Sequence, residues 1–469
     1  MAGTSTTERG SWNSKLGFVL AAAGSAVGLG NIWGFPTQVA DNGGAAFLLI
    51  YILCSFLIGF PVMVAEITIG RKTGKNPVGA FQALTSNKFF PLVGLWGVIC
   101  GVMILSFYTV IAGWAFGYAF EEIFYFFART TVLQDLFGTI GWDSFSSNME
   151  WMATTLTDTG NGLKNAIIAS LFMLATVKII TGGVSGGIEK ATKTMMPLLI
   201  SVLLIMIIYV LFQPGSAEGI REYLLPDFSK INSDLIFSAM GQAFFSLSLG
   251  MGALITYGSY LNKKENIPQA AAFVTLADVG IAFLAGLLII PAMYLAQSNG
   301  VEIFVDGRLA DSTTLVFTVL PALFHSMGSI GVVFGVAFFL LLSIAALTST
   351  ISLLEVPVSY SIDEFGISRK KSAWYIGMGI LSVSILISFF PGLIDSFVTV
   401  FNNIGLPLGG SLICLFVGYV WKTDSALNEM EYGFAGIRQT LFSKVWPIFI
   451  KFVCPAAILY TLLNTLMNL

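Results

Sequence analysis

Charge is scarce in this chain. Of 469 residues only 10% are Asp, Glu, Lys or Arg, against roughly 25% in a soluble globular domain. Histidine is scarcer still, since His325 is the only one, and that nearly excludes histidine-based metal or triad chemistry. The four cysteines, Cys54, Cys100, Cys414 and Cys454, lie scattered in apolar runs. They have neither metal-ligand spacing nor the framework of a disulfide scaffold, and read as buried free thiols. No nucleotide-binding glycine loop is present. At a net charge of −3 there is no basic stripe for nucleic acid. The opening stretch MAGTSTTERGSWNSK lacks a small-residue cleavage site, so no removable signal peptide is expected.

What the chain has instead is apolar length. Hydrophobic residues make up 56% and the mean hydropathy is +0.84. Stretches of about 20 apolar residues, enough to cross a bilayer as helix, recur along almost the whole sequence. Eleven spans are expected, near 15–40, 44–70, 92–126, 165–182, 194–213, 234–261, 270–297, 330–361, 373–391, 396–421 and 445–467. With the N-terminus inside, eighteen lysines and arginines fall on the cytoplasmic side, Lys451 among them, and five outside. The positive-inside rule therefore puts the N-terminus in the cytoplasm, and the odd span count puts the C-terminus outside. The connections 127–164 and 298–329 are the only sizeable extramembrane segments expected, with no soluble domain and no soluble partner implied.

Two spans are weakened at their centres. The first reads GSAVGLGNIWGF over Gly24 to Phe35, and the sixth reads GQAFFSLSLGMGALITYGSY. Each helical glycine costs about 1 kcal/mol relative to alanine, and the Asn31 amide finds no partner in hydrocarbon. Aligning the centres places Gly28 on Gly250 and Gly30 on Gly252. Close helix packing is the ordinary reading of a lone glycine pair in a span. Matched breaks five spans apart point instead to an inverted repeat, with both breaks near the midplane of a transporter. Unwound backbone is tolerated at that depth only where it lines a cavity or holds a ligand. In the eighth span, AALTSTIS sets Ala345, Thr348, Ser349 and Ser352 on one face. Isolated hydroxyls in a span usually bond back to their own helix, but four in one stripe read as ligands.

NSKLGFVLAAAGSAVGLGNIW, FPVMVAEITIGR and FFSLSLGMGALITYGSY resemble the neurotransmitter:sodium symporter family. LTSTISLLEVPVSYSIDE and LPLGGSLICLFVGYVW resemble its bacterial branch, which carries leucine and other hydrophobic amino acids. The likeness covers essentially the whole chain. It implies an all-α membrane fold forming one transporter domain over 1–469. Within it, a five-helix repeat (15–213) precedes an inverted second (234–421) and an eleventh helix (445–467). It also implies amino-acid import coupled to two sodium ions by alternating access.

Residue by residue, the resemblance implies a first sodium site at the Ala26 and Ser246 carbonyls, the Asn31 amide oxygen, the Ser246 hydroxyl and Asp278. A second would use the carbonyls of Gly24, Val27 and Ala345 with the hydroxyls of Thr348 and Ser349. Such oxygen-only sets suit a hard cation. The half-helix N–H groups at Leu29 and Gly30, with the Tyr108 hydroxyl, suit a substrate carboxylate. Carbonyls near Ala26, Phe245 and Ser246 suit its ammonium. Gly28 stands where monoamine carriers of the family place an aspartate, so the substrate should bring its own carboxylate. The side-chain pocket implied is Ile104, Tyr108, Phe245, Ser248, Met251, Ser349 and Leu353, uncharged throughout and suited to hydrophobic or aromatic amino acids. Met251 is either a pliable wall of that pocket or core filler.

Two departures from the family pattern stand out. Gly34 and Val398 occupy the places of the outer arginine–aspartate gate, and joint loss avoids stranding one charge. Asp278 replaces the common asparagine, so the region of Tyr51, Gln242 and Ser246 carries a fixed negative charge where chloride-dependent relatives hold an anion. The cytoplasmic gate implied is Arg9 with Asp363, near Trp12, Ser259, Tyr260 and Glu355, and the spacing Gly187–x9–Pro197 marks a stretch of the fifth span that unwinds in relatives. A channel lacks a filter repeat or charged ring, and a membrane enzyme lacks an activated nucleophile. A carrier of another small zwitterion stays open.

Overall fold

The computed structural model describes residues 10–129, 160–298, 304–305, 308–309 and 315–467. Among them, nine helices are long and apolar enough to cross a membrane, and ten if the bent pair Lys15–Ala26 and Gly30–Asp41 counts as one span. The sixth span adds two further halves, Ser233–Ser246 and Ala253–Gly258, each too short to cross alone. Helix therefore occupies all eleven expected positions. Among the described residues the one strand pairing is a hairpin of Phe304–Val305 with Arg308–Leu309. Short helices that hydropathy leaves as loops fill the connections: Pro77–Leu84, Ser216–Leu224, Leu320–Ser326 and Thr423–Glu431.

Local signals set the helix ends. Ser14 accepts from the Gly17 N–H, Asn76 from Val78 and Gly79, and Asn232 from Leu235, each a side-chain oxygen on an otherwise orphaned donor. The second span runs on to Thr73, where Gly74 takes a left-handed cap at φ 60°. The fifth span corrects the sequence reading most. It begins about ten residues early, with a π-turn at Val184–Glu189 that leads into Lys190–Leu211. Glu189, Lys190 and Lys193 look like loop, yet Lys193 pairs with Glu189 one turn earlier at 2.6 Å. Glu189 also accepts from the Asn13 N–H at 2.8 Å and the Ser14 hydroxyl at 3.0 Å. The stretch between Gly187 and Pro197 is thus wound here and tied to the start of the first span.

The third and eighth spans pack along each other, the first lies against the seventh and eighth, and the two halves of the sixth lie against the second, the latter half also against the eighth. The second span meets the short second half of the sixth backbone to backbone. A Cβ on Gly70 would stand 2.0 Å from the Ile255 carbonyl oxygen, and one on Gly258 would stand 2.6 Å from that of Ile67. Small residues buy this approach where lipid supplies no hydrophobic drive. Gly70→Ala is therefore expected to cost about 1–3 kcal/mol through overpacking. It should lower the melting midpoint of the purified protein. Gly280→Ala, with nothing within 4 Å of the added carbon, should leave that midpoint level or raise it. Equal melting of the two variants would refute the close approach.

Candidate functional site

The first helix stops at Ala26, and Val27 is extended at φ −76°, ψ 101°. Helix resumes as a π-turn over Gly30–Gly34, bent by 52° from the first half. In the sixth span the helix ends at Ser246, and the chain passes through Ser248 at φ 55°, Gly250 at φ 84° and Gly252 at φ 78° before winding again. At Gly250 a Cβ would also lie 2.2 Å from the Leu406 carbonyl oxygen, so a side chain is excluded twice over. Ser248 is the non-glycine exception, and its hydroxyl donates to the Ser25 carbonyl at 2.9 Å, joining the two breaks.

Between the breaks lies a buried cavity. Of the residues assigned to the substrate, Ala26, Gly30, Ile104, Tyr108, Phe245, Ser246, Ser248, Met251, Ser349 and Leu353 line it. Leu29 does not, but its N–H donates to the Tyr108 hydroxyl at 3.0 Å, and that hydroxyl keeps its own proton for an acceptor. A side chain on Gly28 would overlap the Ser349 and Tyr108 oxygens, at 2.4 and 2.8 Å from its Cβ. Ser25 and Ser352 also line the cavity, hydrogen-bonded to each other at 2.7 Å. The space left is about 20 Å³, room for about one water.

Two oxygen clusters flank the cavity. Asp278, fully buried, accepts from the Asn31 amide and the Ser246 hydroxyl at 2.7 Å each, and from Tyr51 at 3.0 Å. Asn31 also donates to the Asp278 carbonyl at 3.1 Å, and its amide oxygen accepts from the Gly28 N–H at 3.1 Å. In the second cluster, the Thr348 hydroxyl lies 2.9 Å from the Ala345 carbonyl and 3.4 Å from that of Val27. Ser349 lies 3.4 Å from the Ala345 carbonyl, and Gly24 is held against Thr348. Among the described residues no three Asp, Glu, His or Cys side chains gather for a metal. One carboxylate amid neutral oxygens fits a monovalent hard cation better than a divalent one.

A second cavity, of about 560 Å³, opens beyond Phe245 and is lined by Gln38, Gln242, Val398 and Asn402 among others. Gln242 donates to the Gly30 carbonyl at 2.8 Å, and a Cβ on Gly34 would lie 3.7 Å from its oxygen. The two positions without a gate charge thus both neighbour one neutral amide or its cavity.

At the end of the bundle where residue 10 lies, Trp12 donates from its indole to the Tyr257 carbonyl at 3.0 Å. Tyr260 donates to Glu355 at 2.6 Å. Arg369 forks onto both oxygens of Glu355 at 2.7 and 2.8 Å, a contact sequence reasoning missed. Asp363 accepts from the Asn76 backbone and side-chain amides at 2.8 and 3.0 Å. Its expected partner, Arg9, lies outside the described residues.

Glu66 was also missed. Fully buried on the second span, it accepts from the Gly250 N–H at 2.7 Å. Removing the acceptor of a buried donor costs about 1–3 kcal/mol. Glu66→Ala should therefore melt well below wild type, while Glu66→Gln, which keeps an acceptor, stays close to it. If the two variants melt alike, the hydrogen bond does not support the break.

The model of the sodium:neurotransmitter symporter family matches residues 9–132 and 139–469. An uncharacterised sodium-dependent transporter of Bacillus subtilis, YhdH, is 33% identical over 97% of each chain. The human sodium- and chloride-dependent GABA transporter 2 is 26% identical, covering 98% of this chain and 81% of its own. The crystal structure of MhsT in complex with L-phenylalanine is 39% identical, with a TM-score of 0.82 over 97% of this chain and all of that one.

Proposed function

The chain belongs to the sodium:neurotransmitter symporter family of sodium-dependent membrane transporters, and on that premise we propose that it imports hydrophobic or aromatic amino acids by sodium-coupled alternating access. The observation that carries the reading is the cavity between the two broken helices, with an oxygen cluster on either side. Phenylalanine bound to MhsT supports the substrate class. The uncharged lining supports it too, since a buried charged side chain would find no counter-charge there.

The roles proposed are those the family resemblance implies, and the cavity and its flanking oxygens support them. The substrate carboxylate takes the Tyr108 hydroxyl and the N–H groups at the start of the resumed first helix, and the ammonium takes carbonyls at Ala26, Phe245 and Ser246. Sodium as cargo occupies the Asn31–Ser246–Asp278 cluster, where a buried carboxylate otherwise lacks a compensating cation. A second sodium sits among Gly24, Val27, Ala345, Thr348 and Ser349. Asp278 supplies the negative charge that an anion would bring, which makes transport chloride-independent. A guest larger than the present 20 Å³ needs the walls to yield, and flexible Met251 is suited to that. The two five-helix halves act as inverted repeats, with the first residues of the chain in the cytoplasm.

Uptake of labelled phenylalanine or leucine into proteoliposomes should require an inward sodium gradient and persist when gluconate replaces chloride. Asn31→Ala or Ser246→Ala should raise the sodium needed for half-maximal uptake severalfold, and the pair Thr348→Ala with Ser349→Ala should abolish uptake. Sodium-independent uptake would overturn the coupling, and unchanged sodium dependence in all variants would overturn the two sites.

Met251→Phe should penalise bulky substrates against valine. A bad contact in a packed pocket is worth about 1–3 kcal/mol, so competition constants should separate by about tenfold or more. A variant that ranks the amino acids as wild type does would show that Met251 does not set the pocket.

A further inference from the structure

Lys451 lies inside the eleventh span, although lysine counting assigns it to the aqueous side. The helix runs over Leu441–Met467, so Lys451 sits about 15 Å along it at 1.5 Å per residue. Its neighbours face lipid, with Ile448 55% and Phe452 60% exposed. A lysine within a span is costly unless it is paired, lines a water-filled path or lets its stem carry the ammonium to the interface. Here the ammonium has no hydrogen bond or ion pair among the described residues.

The surroundings are shaped around its stem. Lys451 lies over Gly418 of the tenth span, where a Cβ would stand 3.2 Å from the lysine Cγ. Both spans carry π-turns at this level, Phe416–Val420 and Phe449–Val453. The Tyr419 hydroxyl, on a ring 52% exposed, donates to the Lys451 carbonyl at 2.9 Å. Helical side chains lean toward the helix N-terminus, so the ammonium rises toward the membrane surface at Leu441. Lys422, just past the tenth span, and Lys444, two turns before Lys451, are both exposed at that surface. Neither side chain has an ion partner among the described residues. The acids of the connecting helix are engaged elsewhere: Asp424 and Glu431 with Arg438, and Glu429 with Arg71, Lys72 and Lys263.

We propose that Lys422, Lys444 and Lys451 bind the phosphate headgroup of an anionic phospholipid where the ends of the tenth and eleventh spans meet the membrane surface. Charge complementarity selects the occupant. Three cations without acidic partners meet the membrane at headgroup level, where lipid phosphate is the available anion. A zwitterionic headgroup carries its own ammonium beside the phosphate and satisfies the cluster less well. The site is independent of the transport cavity.

Native mass spectrometry and thermal melting of the detergent-purified chain, titrated with phosphatidylglycerol or phosphatidylcholine, test it. Wild type should retain phosphatidylglycerol selectively and melt higher with it. Lys451→Gln keeps a polar side chain and removes the charge, so folding is not at risk, and should weaken phosphatidylglycerol about fivefold without changing phosphatidylcholine. Gly418→Leu, which takes the space of the lysine stem but keeps every charge, should weaken it as well. Equal binding of the two lipids by wild type overturns the proposal, as does wild-type phosphatidylglycerol binding in both variants. Millimolar inorganic phosphate in phosphatidylcholine should not reproduce the stabilisation. If it does, the anion is a free one and the lipid assignment fails.

Discussion

Hydrocarbon offers no water to an interrupted backbone, and the centre of this molecule is arranged around that constraint. Groups released by the two breaks find partners, one within the same span and four on other spans. The Gly28 N–H takes the Asn31 amide, the Leu29 N–H takes Tyr108, and the Gly30 carbonyl takes Gln242. The Ser25 carbonyl takes Ser248, and the Gly250 N–H takes Glu66. Two of these five links run directly between the broken spans, so neither break is stable without the other. Spans two and three supply two more. A cavity lined by unpaired backbone can persist only where its rim is satisfied so fully.

The same scarcity governs charge. Asp278 is a fully buried carboxylate beside the cavity, and three neutral donors hold it. Hydrogen bonds of this kind spread a buried charge without cancelling it. One flank of the cavity thus holds an acidic group among three neutral donors, whereas the Thr348–Ser349 cluster is made only of neutral oxygens.

Much of this was legible in the sequence because bilayer thickness and helical periodicity write directly into it. The apolar runs located all eleven spans, and glycine at matched depths located both breaks. The stripe of Ala345, Thr348, Ser349 and Ser352 on one face is where the structure puts it, against the first break. What stayed hidden has a common physical cause. Glu66 pairs with a backbone N–H on a distant span, and a backbone donor leaves no mark on residue type. Arg369 stands in an RKK run at a helix start, which reads as topology, while its fork onto Glu355 depends on packing. The fifth span began early because Glu189 and Lys193 satisfy each other and the start of the first span, which makes polar residues helical.

Two buried ion pairs lie away from the breaks, and both use arginine. Arg71, fully enclosed, donates to the Glu429 carboxylate at 3.1 Å, to the Glu265 carbonyl at 2.6 Å and to the Glu429 carbonyl. It thereby ties the second span to the chain leaving the sixth and to the helix before the eleventh. Arg369 grips Glu355, which also accepts from Tyr260 at the end of that same sixth-span exit. A lysine could neutralise either carboxylate but could not satisfy several acceptors in one plane. Such pairs are weak sources of net stability, since desolvation offsets most of the attraction, yet losing one partner strands a buried charge. Their contribution is to fix position. The short second half of the sixth span, six residues of helix, is too brief to hold its place by its own packing. It is pinned by Glu66 just before it starts, by glycine contact along its length and by the two arginine networks beyond its end.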